Sequence, residues 1–120
     1  MPHLTIEYSS NLPGYPEAQA LADLNASLCA SPEVLDEADL KSRFVRTSGS
    51  FQIGTQPANR AFVHAQLRLL SGHSPEAKKD LAGRIAEVLR RHTPHPAGVL
   101  VQLSVEIVDM DRPSYVKERL

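Results

Sequence analysis

The residue with the most chemical potential for its position is Pro2, which directly follows the initiator methionine and opens the alternating run His3-Leu4-Thr5-Ile6-Glu7-Tyr8. The small proline side chain permits removal of Met1, and Pro2 then carries a free secondary amine at the mouth of a strand. With Met1 in place, the same nitrogen is a tertiary amide. An α-amine, with a reference pKa of about 7.7–8.0, exchanges a proton near neutral pH, and an amide nitrogen does not. A second chemical signal is the cluster Lys41, Arg43 and Arg46, which puts cations on both faces of a short strand pattern. Such a strand either meets solvent or delivers charge to a site. The histidines are weaker signals. His64 is in phase with Phe62 and Gln66 and reads as a structural histidine facing the helices or a subunit contact. His92 and His95 flank Thr93-Pro94 at a metal-like spacing, yet the negative end of a helix dipole accounts for His92, and no metal site is expected. Cys29 stands alone, so it cannot form an intramolecular disulfide, makes a poor zinc site and packs as a small apolar residue.

Elements that would position these groups follow from hydrophobic periodicity. A first strand runs from Pro2 to Tyr8, with Leu4, Ile6 and Tyr8 on one face; proline is tolerated where the ladder begins. After a turn at residues 9–14, the spacing of Leu21, Leu24 and Leu28 predicts a helix over 16–30, ended by Ser31-Pro32. A second strand falls near Leu40 to Thr47. Residues 48–59, with Gly49, Gly54 and Pro57, form a loop or irregular hairpin. The third strand, over 60–70, is the clearest, with Ala61, Val63, Ala65, Leu67 and Leu69 alternating. Ser74-Pro75-Glu76 starts a second helix that reaches His92, with Ala77, Leu81, Ile85, Val88 and Leu89 as its buried stripe. A fourth strand spans 99–108. Residues 112–117 read as a short extra strand reaching a neighbour.

This order is strand-helix-strand twice, over residues 2–47 and 60–108. It predicts an α/β fold (α+β in some schemes) in one domain over 2–120: two βαβ units in a four-stranded mixed sheet with two helices on one face. The other face is uncovered. Because the first, third and fourth strands each carry several apolar side chains, that face is expected to be apolar and buried against other subunits.

The bulk properties agree with a cytoplasmic globular protein. The chain has 120 residues, 42% hydrophobic and 22% charged, with a net charge of −1 and no clustered basic stripe, so neither nucleic acid nor a membrane surface is an expected partner. No window is apolar enough to span a bilayer, and no signal-peptide pattern precedes the first strand.

Met1-Pro2-His3 with Glu7 and Ser9, Ser42-Arg43, Ala61-Phe62-Val63-His64, the Gly72-x-Ser74 helix entry and Leu103-Ser104-x-Glu106-Ile107 together carry a family likeness. In their order and spacing, the chain resembles the tautomerase superfamily and, more closely, the 5-carboxymethyl-2-hydroxymuconate isomerases. The resemblance implies a homotrimer of paired βαβ units that needs no metal or organic cofactor. The N-terminal Pro2 amine would be the general base, its pKa depressed by burial or nearby cations, moving a proton in an unsaturated, enolised polycarboxylate of aromatic catabolism. Arg43 and Lys41 are then candidates to clamp the carboxylates of this small anionic substrate, Arg43 for its two-pronged geometry. His73 stands where the isomerases lead one to expect an arginine; a neutral imidazole can hydrogen-bond a carboxylate but supplies no permanent charge. That difference keeps open a tautomerase of another enolisable acid, such as a phenylpyruvate-like compound. A trimeric module that binds a ligand without catalysis is the alternative from another class.

Overall fold

The structure, a computed structural model, describes residues 1–56 and 58–120. Its strands are β1 (His3–Ser9), β2 (Lys41–Thr47), β3 (Arg60–Leu70) and β4 (Leu100–Met110). The helices are α1 (Glu17–Cys29) and α2 (Pro75–His92), and short 3-10 turns occupy Glu37–Asp39 and Arg112–Ser114. Sheet order is β2-β1-β3-β4. β1 runs parallel to β2, β3 parallel to β4, and the two central strands are antiparallel. Each βαβ unit thus contributes one central and one edge strand, as the duplicated pattern predicts.

Alternation decides which side chains meet the helices. Leu4, Ile6 and Tyr8 of β1 and Ala61, Val63, Ala65, Leu67 and Leu69 of β3 are all buried on one face. Against them lie Leu24 and Leu28 of α1 and Leu81, Ile85, Val88 and Leu89 of α2. The α1 stripe differs from the expected one: Ala20, Leu24 and Leu28 are buried at a strict spacing of four, and Leu21 is only half-buried. Small Ala20 lets the first turn approach the sheet. In α2, Ser74 caps the first turn by accepting from the Ala77 N–H at 3.1 Å. The helices are tied together by His92 Nε2 to Asp23 Oδ2 at 2.6 Å and by Arg84 donating to the Ser27 carbonyl at 2.9 Å.

The uncovered sheet face corrects the expectation of an apolar patch. It presents His3, Thr5 and Glu7 from β1, Arg43 from β2, His64, Gln66 and Arg68 from β3, and Ser104 and Glu106 from β4, a predominantly polar surface. Val45, Phe62, Leu70, Val108 and Met110 share this phase, but most apolar residues seen in the strand patterns belong to the other phase and are already used by the core. His64 likewise does not face the helices: its Nδ1 lies 2.7 Å from Ser104 Oγ and its Nε2 3.3 Å from Glu106.

The described residues between β2 and β3 form a loop and not a hairpin, because β1 lies between the two strands. Phe51 of this loop packs edge-on against Phe62; Pro57 lies outside the described residues. Nor is the tail an added strand. After the turn at Arg112–Ser114, it is held by its own chain through ion pairs of Lys117 and Arg119 to Asp36 and Asp39. Among the described residues, no helix is long and apolar enough to cross a membrane.

Candidate active site

The start of β1 is fixed by the parallel ladder: the Lys41 N–H donates to the Pro2 carbonyl at 3.1 Å, and His3 pairs with Lys41. Pro2 therefore sits at the end of a central strand, where it needs to donate no ladder hydrogen bond. Beside it opens a narrow cleft of about 30 Å³ between the sheet and the facing ends of the two helices. Its floor is apolar, formed by Leu28, Leu40, Leu67, Leu69 and Leu81 with Val34, and its polar rim is Glu33 and His73. His73 Nδ1 is 2.9 Å from Glu33 Oε1, and both side chains are mostly buried. Gly72, at φ +122°, makes the turn that brings His73 to the rim. Arg112 lines the outer mouth, where it donates to the Ser71 carbonyl at 2.6 Å.

The terminal amine in this structure belongs to Met1, which lines the cleft with Pro2. Its pKa is lowered from the ordinary 8.0 by partial burial, an effect that Asp39 opposes and that Lys41, Lys117 and Arg112 reinforce. His3, next along, is also shifted down, first by burial and then by Arg43 and Lys41. The N-terminus thus lies in a partly dry setting of mixed charge that makes its amine less basic than an exposed one. Such an amine can take a proton from an acidic hydroxyl and return it elsewhere.

The four residues singled out from sequence separate into two places. Pro2 and His73 share the cleft. Lys41 lies close to the terminus, with its ammonium donating to the Asp39 carbonyl at 2.8 Å. Arg43 is elsewhere: it projects from the uncovered face, where its guanidinium contacts His3 Nδ1 at 3.2 Å and Thr5 Oγ1 at 3.3 Å. Glu33, Val34, Asp39 and Arg112 were not legible as site residues. Glu33 and Val34 follow Ser31-Pro32, which reads only as a helix stop, and Arg112 stands in a stretch that reads as an edge. No group of three or more His, Cys, Asp or Glu side chains is arranged to hold a metal ion among the described residues.

Residues 2–119 match the family profile described as 5-carboxymethyl-2-hydroxymuconate isomerase. The chain belongs to that family. A solved 5-carboxymethyl-2-hydroxymuconate isomerase from Deinococcus radiodurans R1 is 30% identical, with a TM-score of 0.86 over 99% of this chain and 90% of that one. A 5-carboxymethyl-2-hydroxymuconate delta-isomerase structure, 19% identical, gives a TM-score of 0.78 over 100% and 87%. The macrophage migration inhibitory factor of Toxoplasma gondii shares the fold at 12% identity, with a TM-score of 0.65 over 96% and 95%. A search of curated proteins returned no match. The four-stranded α/β fold read from the repeated βαβ pattern is therefore the observed one, tautomerase-like as the resemblance implied, and family membership supports an isomerase or tautomerase activity.

Proposed function

We propose that the protein is an isomerase that moves a proton within an unsaturated hydroxy or oxo polycarboxylate of the 5-carboxymethyl-2-hydroxymuconate type, with the Pro2 amine as general base once Met1 is removed. The observation that supports this most is the position of the terminus: Pro2 lies at the mouth of a cleft, in surroundings that lower the basicity of an amine. The neutral Pro2 nitrogen takes the proton of the enol hydroxyl. The electron pair moves through the conjugated system as the oxygen becomes a ketone, and a distant carbon receives a proton from the Pro2 ammonium. Atoms and charge balance without a cofactor. His73 is suited to hydrogen-bond a carboxylate at the rim, and Lys41, in the strand phase of Arg43 and outside the cleft lining but close to the terminus, to attract one. Arg43 serves as a clamp only from a neighbouring copy, across the uncovered faces of a homotrimer.

A second substrate reading is favoured by the cleft floor. Six aliphatic side chains and a His73–Glu33 pair, with no fixed cation between them, suit an enolisable acid with one carboxylate and an apolar body, such as a phenylpyruvate-like compound. Intact mass combined with steady-state rates on a panel of enolisable mono-, di- and tricarboxylates tests both. The Met1-free form should be active, and Pro2→Ala should lose about 10²–10⁴-fold in kcat. Full activity with Met1 retained refutes the proline mechanism.

A further inference from the structure

The last ten residues contact the site at points that no step above uses. From Arg112, at the cleft mouth, the chain passes the start of β1, where Tyr115 Oη lies 3.1 Å from His3 Nε2. It then reaches the 3-10 turn before β2. There Lys117 Nζ meets Asp39 Oδ1 at 2.5 Å, and the Arg119 guanidinium spans Asp39 at 3.0 Å and Asp36 at 2.7 Å. These are not all loose surface pairs. Side-chain exposure is 15% for Asp39 and 21% for Lys117, although Arg119 is 63% exposed. Two cations converge on one nearly buried carboxylate.

That carboxylate is next to the chemistry. The Lys41 N–H donates to the Pro2 carbonyl, which brings the 3-10 turn just before Lys41 to the terminus, and the Asp39 charge acts on the terminal amine. Both Asp39 and the terminus line the same outer cleft. A free Asp39 carboxylate there is the natural partner of an ammonium, and pairing would keep the amine protonated and useless as a base.

We infer that the C-terminal segment is a strap that belongs to the Pro2 site: Lys117 and Arg119 occupy the Asp39 carboxylate and so withhold it from the terminal amine. Lys117 and Arg119 are positioning residues that act through Asp39. The other charged or titratable groups around the amine are Lys41 of β2, Arg112 after β4, His3 of β1, Asp36 before the 3-10 turn, and Glu33 and His73 at the rim. Lys41 and Arg112 also oppose protonation, so loss of the strap shifts a balance and does not abolish it. The direction of the shift at the terminus agrees: Asp39 raises the amine pKa, and Lys117 lowers it.

This rests on the Pro2 reading above, so the test measures the amine both directly and through catalysis. In the Met1-free protein, the amine is titrated by the pH dependence of its acylation with acetic anhydride, and kcat/KM is followed from pH 5 to 9. Lys117→Gln combined with Arg119→Gln should raise the amine pKa and move the acidic limb of kcat/KM upward. The rate at pH 6.5 should fall about two- to fivefold, the effect of one newly unpaired charge at a partly exposed site. Asp39→Asn should move both curves the opposite way, and the triple variant should resemble Asp39→Asn. A merely structural strap lowers melting temperature or kcat without moving the curves in opposite directions. Unmoved amine titrations in folded variants overturn the strap inference. An amine that shifts as described while activity ignores it upholds the strap's hold on the amine and overturns the Pro2 mechanism instead.

Discussion

Ser9→Ala should destabilise the protein by about 1–3 kcal/mol, because its hydroxyl closes the β1–β3 ladder. The regular pairing stops at Tyr8 opposite Val63. One step further, Ser9 is fully buried, and its Oγ accepts from the Phe62 N–H at 2.9 Å and donates to the Phe62 carbonyl at 3.4 Å. A side chain thus takes both bonds that a strand backbone would have made. Alanine removes it and leaves the part-buried Phe62 N–H without its protein partner. For 120 residues, the unfolding entropy is about 0.25 kcal/mol/K near the midpoint, so the melting temperature should fall by about 4–12 °C. Calorimetry on wild type, Ser9→Ala and Ser10→Ala measures it, with the control within about 0.5 kcal/mol of wild type. A Ser9→Ala melting point within 1 °C of wild type refutes the assignment of the ladder's last pair to this hydroxyl.

Asp23, Asp36 and Asp39 have pKa values below the ordinary 3.8, held down first by hydrogen bonds from His92, Arg119 and Lys117 respectively. The folded pKa is lower than the unfolded one, so this stabilisation is present above about pH 4 and is lost as pH falls through the lower folded values; urea midpoints should drop between pH 5 and 2. Tyr8 should ionise at about 12, mainly because burial, and next its hydrogen bond to Glu17, disfavours the phenolate; absorbance titration of Glu17→Gln should show it ionising earlier. Ser74→Ala should cost about 1 kcal/mol by uncapping α2, read from denaturant midpoints. Leu81→Ala should cost about 2–5 kcal/mol and also widen the cleft floor, so any rate change should favour bulkier substrates.

The strands and helices were legible because alternation and 3.6-residue spacing report burial directly: β3 and α2 have the predicted bounds to within a residue or so. What periodicity does not say is which phase of a strand the core uses. That is why the uncovered face was expected to be apolar and proved to carry Thr5, Glu7, Gln66 and Glu106. The site was half legible. Pro2 and His73 have local signals, one in the Met-Pro start and the other in a Gly-x-Ser turn, and they do meet in a cleft. Arg43 carried the right charge, but strand phase sends it to the opposite face from Pro2. Glu33 and the strap had no local signal at all: Lys117 meets Asp39 across 78 residues of chain, and only the folded register makes them neighbours.

The sheet order β2-β1-β3-β4 is unchanged when the two βαβ halves are exchanged, so every place in one half has a counterpart in the other. The counterpart of Pro2 is the start of β3, where Ala58 and Arg60 also border a recess, with Asn11 and Phe51. There the backbone arrives from a loop, and every nitrogen is tied into an amide. Catalysis by a main-chain amine needs a chain end, so the doubled architecture can offer such a group at only one of the two corners. The second half was therefore free to give its matching corner to an arginine that braces a loop, Arg60 donating to the Ile53 carbonyl.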